Sequence, residues 1–270
     1  MTTTSPRLDV AAHFTSQKDY WDTAYRNSDV TSLIYQERLA RALAWVDGLG
    51  LAPGSRALDV GTGAGHAAVA LAQRGFHVEA IDASAAMADL ASHNAALAGV
   101  SERVHSAAGN AQALTLPDSS VDLVVALGLL PWVPSPPAAL AEMARVLRPA
   151  GLAIVSTANR DRLTYRLDPL YNQDLHVVKR PLRARLERLG WWPVAAPEPR
   201  LHSARDSDRL LRRAGLELLA SVSFGFGPFT FLGRRLFSER TDVRLHQRLQ
   251  RVPAVRHGGT EYLVLARRPS

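Results

Sequence analysis

Hydrophobic positions along the chain follow two periods, and the change between them marks the elements. Between Thr15 and Gly50 the apolar residues Leu33, Ile34, Leu39, Leu43 and Val46 recur at roughly helical spacing, with Arg38 and Arg41 among them. Pro53 and Gly54 then break the pattern. A short buried strand, "RALDVG", is followed by a helix, "HAAVALAQRG", with Gly75 placed to close it. The alternation repeats: strand "HVEAID", helix "SAAMADLASHNAALAG" with Ser84 as N-cap, strand "RVHSAAGNA", strand "VDLVVALGLL", helix "PPAALAEMARVL" and strand "GLAIVSTAN". The fourth strand is almost wholly apolar, as a strand covered on both faces should be. Residues 160–200 lose the rhythm and are rich in Arg, Pro and Trp. A helix, "SARDSDRLLRRAG", and two strands, "LELLASVSFGFG" and "TEYLVLARR", end the pattern.

Strands alternating with helices of about ten residues predict βαβ units with right-handed crossovers. The expected fold is α/β, a doubly wound, mostly parallel seven-stranded sheet. The expected parts are an N-terminal helical lid (1–50), a ligand-binding core (51–159), a cap inserted over the second ligand (160–200) and a C-terminal completion of the sheet (201–270). Ligands of such sheets sit outside the carboxyl ends of the strands, so the chemistry is expected just after Val60, Ile81, Val125 and Val155.

Composition narrows the class without naming a reaction. The 270 residues are 47% hydrophobic and 21% charged, an ordinary globular balance. Without cysteine there is no disulfide, no thiolate metal site and no cysteine nucleophile. No signal-peptide core opens the sequence, and the longest apolar run, Val121 to Val133, is too short to span a bilayer and contains Pro131. A cytoplasmic protein is expected. The net charge of +7 invites a nucleic-acid partner, yet Lys18 and Lys179 are the only lysines, and arginine excess of this kind often reflects genome composition alone.

The first strand ends in "ALDVGTGAG". Gly61, Gly63 and Gly65 open a helix, where free N–H groups and the positive dipole end favour an anionic group. Asp82 closes the second strand about 20 residues on, where an acid can accept hydrogen bonds from ribose hydroxyls. Together they point to an adenosine-containing ligand. The dinucleotide fingerprint G-x-G-x-x-G fails, because its third glycine falls on His66; the pattern present is G-x-G-x-G.

That spacing, preceded by "LD", resembles motif I of the class I S-adenosylmethionine-dependent methyltransferases. "GNAQALTLPDSSVDLVVA" and "RVLRPAGLAIVS" resemble two further segments of that family, and the likeness runs from Leu51 to Thr157. It is nearest the type 11, small-molecule branch that includes ubiquinone and polyketide tailoring enzymes. The resemblance implies S-adenosylmethionine as cofactor, with Asp59 at its amino group, the backbone of Gly61 and Gly63 facing its methionine moiety, Gly65 among the cofactor-binding residues, Asp82 at the ribose and Ala83 beside the adenine. It further implies that the Ala111 N–H meets an adenine nitrogen and that Leu127 touches the sulfonium region. Asn110 stands where the family often has aspartate, and its amide carbonyl can accept the adenine amino group. Tyr25 and Tyr35, in the lid, are expected to contact the cofactor. Ala150 replaces a glycine common in the family.

For the acceptor side, Pro131 and Trp132 in "GLLPWVPSPP" predict an apolar wall, and the aromatic cluster of "FGFGPFTFLGRRLF" brings Phe226 and Phe229 to the same edge. Loop packing and attachment of the cap are the alternatives for these two segments. His202, just before the N-cap Ser203, is a candidate to take a proton near neutral pH; Tyr165 and His176, inside the cap, are others. The basic stretch "VVKRPLRARLERLGWW" reads as a solvated face or a transient membrane-surface contact. No metal-ligating constellation is present.

The expected activity is methylation of oxygen on a hydrophobic small molecule such as a polyketide-like metabolite, with cap arginines near the oxygen favouring its deprotonated form. The alternatives are a nucleic-acid methyltransferase and a non-catalytic adenosine-binding module. Against nucleic acid stand the apolar "LLPWVP" after the fourth strand and the lack of an appended RNA-binding module.

Overall fold

A computed structural model describes residues 10–172, 175, 199–255 and 257–270. His176 and the basic stretch 177–192 lie outside the described residues. The described N-terminal segment is three helices: α1 (Val10–Ser16), α2 (Lys18–Thr23) and α3 (Val30–Gly48). The break falls where Asp29 caps α3, its Oδ1 accepting from the Thr31 and Ser32 amides at 3.0 Å each.

The remaining order is β1 (Arg56–Val60), α4 (His66–Gln73), β2 (His77–Asp82), α5 (Ala85–Leu97), β3 (Val104–Ala108), β4 (Val121–Ala126), α6 (Pro136–Val146) and β5 (Leu147–Ala158). It continues with α7 (Leu163–Leu167), α8 (Ala204–Arg213), β6 (Glu217–Phe224), a hairpin of β7 (Thr230–Phe231) and β8 (Arg234–Arg235), α9 (Glu239–Leu249) and β9 (Glu261–Arg267). Seven strands form one sheet in the order β3-β2-β1-β4-β5-β9-β6. The first five are parallel, and β9 runs antiparallel between β5 and β6. The strand order reverses between β1 and β4, which opens the crevice there.

Alternation along each strand divides the core into two layers. Leu58, Val60, Val124 and Val155 face one way, onto Leu140, Met143 and Leu211 of α6 and α8. Ala57, Leu123, Val125 and Ile154 face the other, with Leu71 of α4 and Ala42 and Val46 of α3. Ser84 and Ser203 cap α5 and α8 through their side chains, as their positions predict. Ala150 has φ +63°, the backbone conformation for which a glycine is the usual residue.

Helix α9 has no counterpart in the periodicity. Its fully buried residues are Asp242 and His246, while Val243, Leu245 and Leu249 are only partly buried, so its innermost face is polar. Polar contacts dock it instead: the Val30 amide donates to Glu239 Oε1 at 2.6 Å, and Gln250 Nε2 to Glu37 Oε2 at 2.8 Å. The segment after β5 is anchored by Asp168. Its carboxylate accepts from the Leu170, Leu232 and Gly233 amides and from the Thr230 hydroxyl, which ties α7 to the β7–β8 hairpin. No helix among the described residues is long and apolar enough to cross a membrane.

Candidate cofactor and acceptor site

The loop after β1 is held against β2. The Gly61 amide donates to the Ile81 carbonyl at 2.7 Å, and the Gly63 amide to Asp82 Oδ2 at 3.0 Å. Asp82 Oδ1 accepts from the Ser84 amide at 2.9 Å. Burial pushes the Asp82 carboxyl up despite these bonds. Asp59, at the end of β1, is only 2% exposed and accepts the Thr62 hydroxyl at 2.6 Å. Burial outweighs that bond and raises its pKa to about 6.

These carboxylates open on a cavity of about 1590 Å³ at the carboxyl edge of the sheet. Gly61, Gly63, Ala83, Asn110, Ala111 and Leu127 all line it. Asn110 Oδ1 already accepts from the Gln112 amide at 2.9 Å, leaving one lone pair for a ligand. Gly65 is different. It is absent from the wall, and a Cβ there would lie 2.8 Å from the Ala91 Cα. Its role is the close crossing of α4 over α5, which corrects the ligand contact expected of it.

The N-terminal helices supply an aromatic wall. Tyr25 and Tyr35 line the cavity with their rings stacked 6.0 Å apart, and Tyr25 also packs 4.4 Å from His66. Trp21 joins Tyr35 to Phe14, and Phe14 meets Trp132 edge-on at 5.2 Å. Pro131 and Trp132 are on the wall, as the apolar "LLPWVP" predicts.

Three other expectations need correction. Phe226 and Phe229 are 2% and 7% exposed and do not reach the cavity; their amides donate to His246 Nδ1 and Asp242 Oδ1 of α9. Gly227 and Pro228 between them line it instead. His202 is off the wall, which Pro199, Arg200 and Leu201 occupy; it pairs its backbone with Asn159, and burial lowers its pKa. Tyr165 is also off the wall, stacked 4.9 Å from Tyr171 beneath the Arg162 guanidinium at 3.4 Å.

The residues that periodicity alone did not single out are Arg38, His66, Arg162 and Glu261, all on the wall. Arg38 stands on the buried stripe Ile34–Arg38–Ala42–Val46 of α3, and that misplaced charge was the readable signal. Its Nη1 lies 3.6 Å from Glu261 Oε2, and its Nη2 donates to the Tyr25 hydroxyl at 2.8 Å. Gly128 makes room for it: a Cβ there would come within 2.6 Å of Arg38 Nη1.

A doubly wound sheet with a glycine loop after β1 and an acid at the carboxyl end of β1 and of β2 defines the class I methyltransferase fold. Residues 58–155 match the methyltransferase domain family. A ubiquinone biosynthesis O-methyltransferase of Burkholderia pseudomallei is 32% identical over 201 residues, 74% of this chain and 80% of that protein. One from Cupriavidus pinatubonensis is 32% identical over 123 residues, 46% of this chain and 49% of its own length. The chain belongs to the methyltransferase family that these relatives share. Among solved structures, a SAM-dependent methyltransferase from Thermotoga maritima has a TM-score of 0.58 at 20% identity, over 96% of this chain and 98% of the other. Geranyl diphosphate C-methyltransferase from Streptomyces coelicolor, solved with S-adenosyl-L-homocysteine, has a TM-score of 0.56 at 20% identity over 85% and 75%. At that identity the likeness is one of fold.

Proposed function

We propose that this chain binds S-adenosylmethionine between the glycine loop and Asp82, and transfers its methyl group to an oxygen of a hydrophobic small molecule, such as a polyketide-like metabolite. The observation that carries the reading is one cavity with two chemistries. Asp59, Asp82 and the backbone of Gly61 and Gly63 form one side of it, and the aromatic run from Phe14 to Trp132 forms another. The residues suit the cofactor. A Cβ on Gly63 would meet only Met87, at 3.7 Å, so the space beside it belongs to the cavity and not to packing. Asp59 would face the amino group, Asp82 the ribose, and Ala83 with Asn110 and Ala111 the adenine. The bound cofactor supplies an electrophilic methyl group. The chain's contribution is to align the acceptor oxygen with it, worth a large part of the barrier, and to exclude water with the lid. The names of the two relatives favour oxygen as the atom methylated.

Titration calorimetry with S-adenosylmethionine and with NAD tests the cofactor; the expected outcome is saturable binding of the first alone. Incubation with S-adenosylmethionine and a panel of apolar phenols and enols, with products read by mass spectrometry, tests the acceptor. Trp132→Ala should raise the acceptor KM tenfold or more while changing the cofactor Kd less than threefold. Methylation of RNA or protein in place of the panel would overturn the reading.

A further inference from the structure

The two ends of the cavity carry opposite charge. Asp59 and Asp82 line the end at β1 and β2. Arg38, Arg162, Glu261 and Thr260 line the end at β5 and β9. Arg38 and Glu261 are each 5% exposed. Arg38 is the only ion-pair partner of Glu261 within 4.0 Å among the described residues, and Arg162 has none. Arg162 is held over the Tyr165 ring, where burial lowers its pKa. This end of the wall therefore holds two guanidiniums and one carboxylate. Four of its buried polar atoms, Arg38 Nε, Arg162 Nε, Glu261 Oε2 and Thr260 Oγ1, have no hydrogen-bond partner among the described residues. Polar atoms shut from water without partners are costly. A purely structural tie between α3 and β9 needs one arginine for one glutamate; the second arginine leaves a positive charge facing the cavity.

We propose that this basic end is an anion site that takes the acceptor as its oxyanion, a carboxylate or an ionised phenol or enol on an apolar skeleton. Arg162 is its direct partner, Arg38 its second, and Glu261 a positioning residue that fixes the guanidiniums at the edge of β9. This rests on the reading that the acidic end holds the methyl donor. An oxygen that arrives ionised forms its bond to the methyl carbon as the carbon–sulfur bond breaks. The bonding pair stays on sulfur, the positive sulfonium and negative oxygen charges cancel, and no proton has to be removed. A general base is then unnecessary.

The test uses two fluorescent probes that share their rings and differ in charge: 8-anilinonaphthalene-1-sulfonate and the uncharged N-phenyl-1-naphthylamine. Each is titrated into the full chain, alone and with S-adenosylhomocysteine. The sulfonate is expected to bind saturably and more tightly than the neutral probe. Arg162→Gln should weaken the sulfonate tenfold or more and the neutral probe less than twofold. Arg162→Lys, which keeps the charge, should recover part of the loss, and the surface variant Arg56→Gln should change neither. No saturable sulfonate binding, or an Arg162→Gln variant that binds both probes as the native chain does or loses both equally, would overturn the anion site. Failure to bind S-adenosylhomocysteine would count against the cofactor reading alone, because the probes report on the basic end with or without it.

Discussion

Asp59 and Asp82 are both buried carboxylates, yet they predict different behaviour. Asp82 has one oxygen on each of two backbone amides. Asp82→Ala should weaken S-adenosylmethionine binding by about 2–4 kcal/mol, since two ribose hydroxyls would lose a charged acceptor; unchanged affinity by calorimetry would remove it from the site. Asp59 predicts a dependence on pH. Its folded pKa of about 6 lies above the ordinary 3.8, so the folded state binds the proton more tightly. Its contribution to stability is fully present below the lower value and is lost as pH rises through about 6, on the order of 3 kcal/mol in all. Asp59→Asn should therefore gain stability relative to the native chain between pH 4 and 7 in urea melts. The ionised form is the one that suits an ammonium group, so native affinity for S-adenosylmethionine should climb through about pH 6. That step should be missing in Asp59→Asn.

Among the elements, the meeting of α4 with α5 separates packing from binding inside one motif. Gly65→Ala would drive a methyl group to 2.8 Å from the Ala91 backbone at φ +80°. A loss of about 2–4 kcal/mol in thermal or urea unfolding is expected. Gly63→Ala meets nothing closer than Met87 Cε at 3.7 Å. It should melt within about 2 kcal/mol of the native chain and lose cofactor affinity at least tenfold. The sequence showed the G-x-G-x-G spacing but not that its last glycine serves the helix pair, because Ala91 becomes a neighbour only after folding. The inner strands were legible because each buries an apolar run, and the edge strands β3 and β6, which bury little, by their apolar spacing and place in the chain order. Helix α9 was not, since hydrogen bonds to polar side chains dock it, and with it went the fate of Phe226 and Phe229. The glycine loop and Asp82 were legible as a linear motif. Arg38 and Glu261, 223 positions apart, form a pair that only the topology assembles.

Across the whole molecule, helix α1 borders the cavity without joining the core on the sheet. Helix α1 has no buried residue, while its Phe14 and His13 lean on Trp132. Removing residues 1–16 should leave cooperative unfolding intact by circular dichroism, and should weaken binding of both cofactor and acceptor at least tenfold. The antiparallel β9 has a consequence for how the chain is made. It is the neighbour through which β6 joins the sheet, and it covers the outer edge of β5. A chain still on the ribosome with Phe224 exposed thus carries two open strand edges, templates for mispairing. At about 5–20 residues per second, the 37 residues from Phe224 to Glu261 take roughly 2–7 s to add. Only then does the last strand slot in between its neighbours, and the same event delivers Glu261 to Arg38. A translation pause in that interval would prolong the window for misassembly, and no copy stalled there could hold its charged pair together.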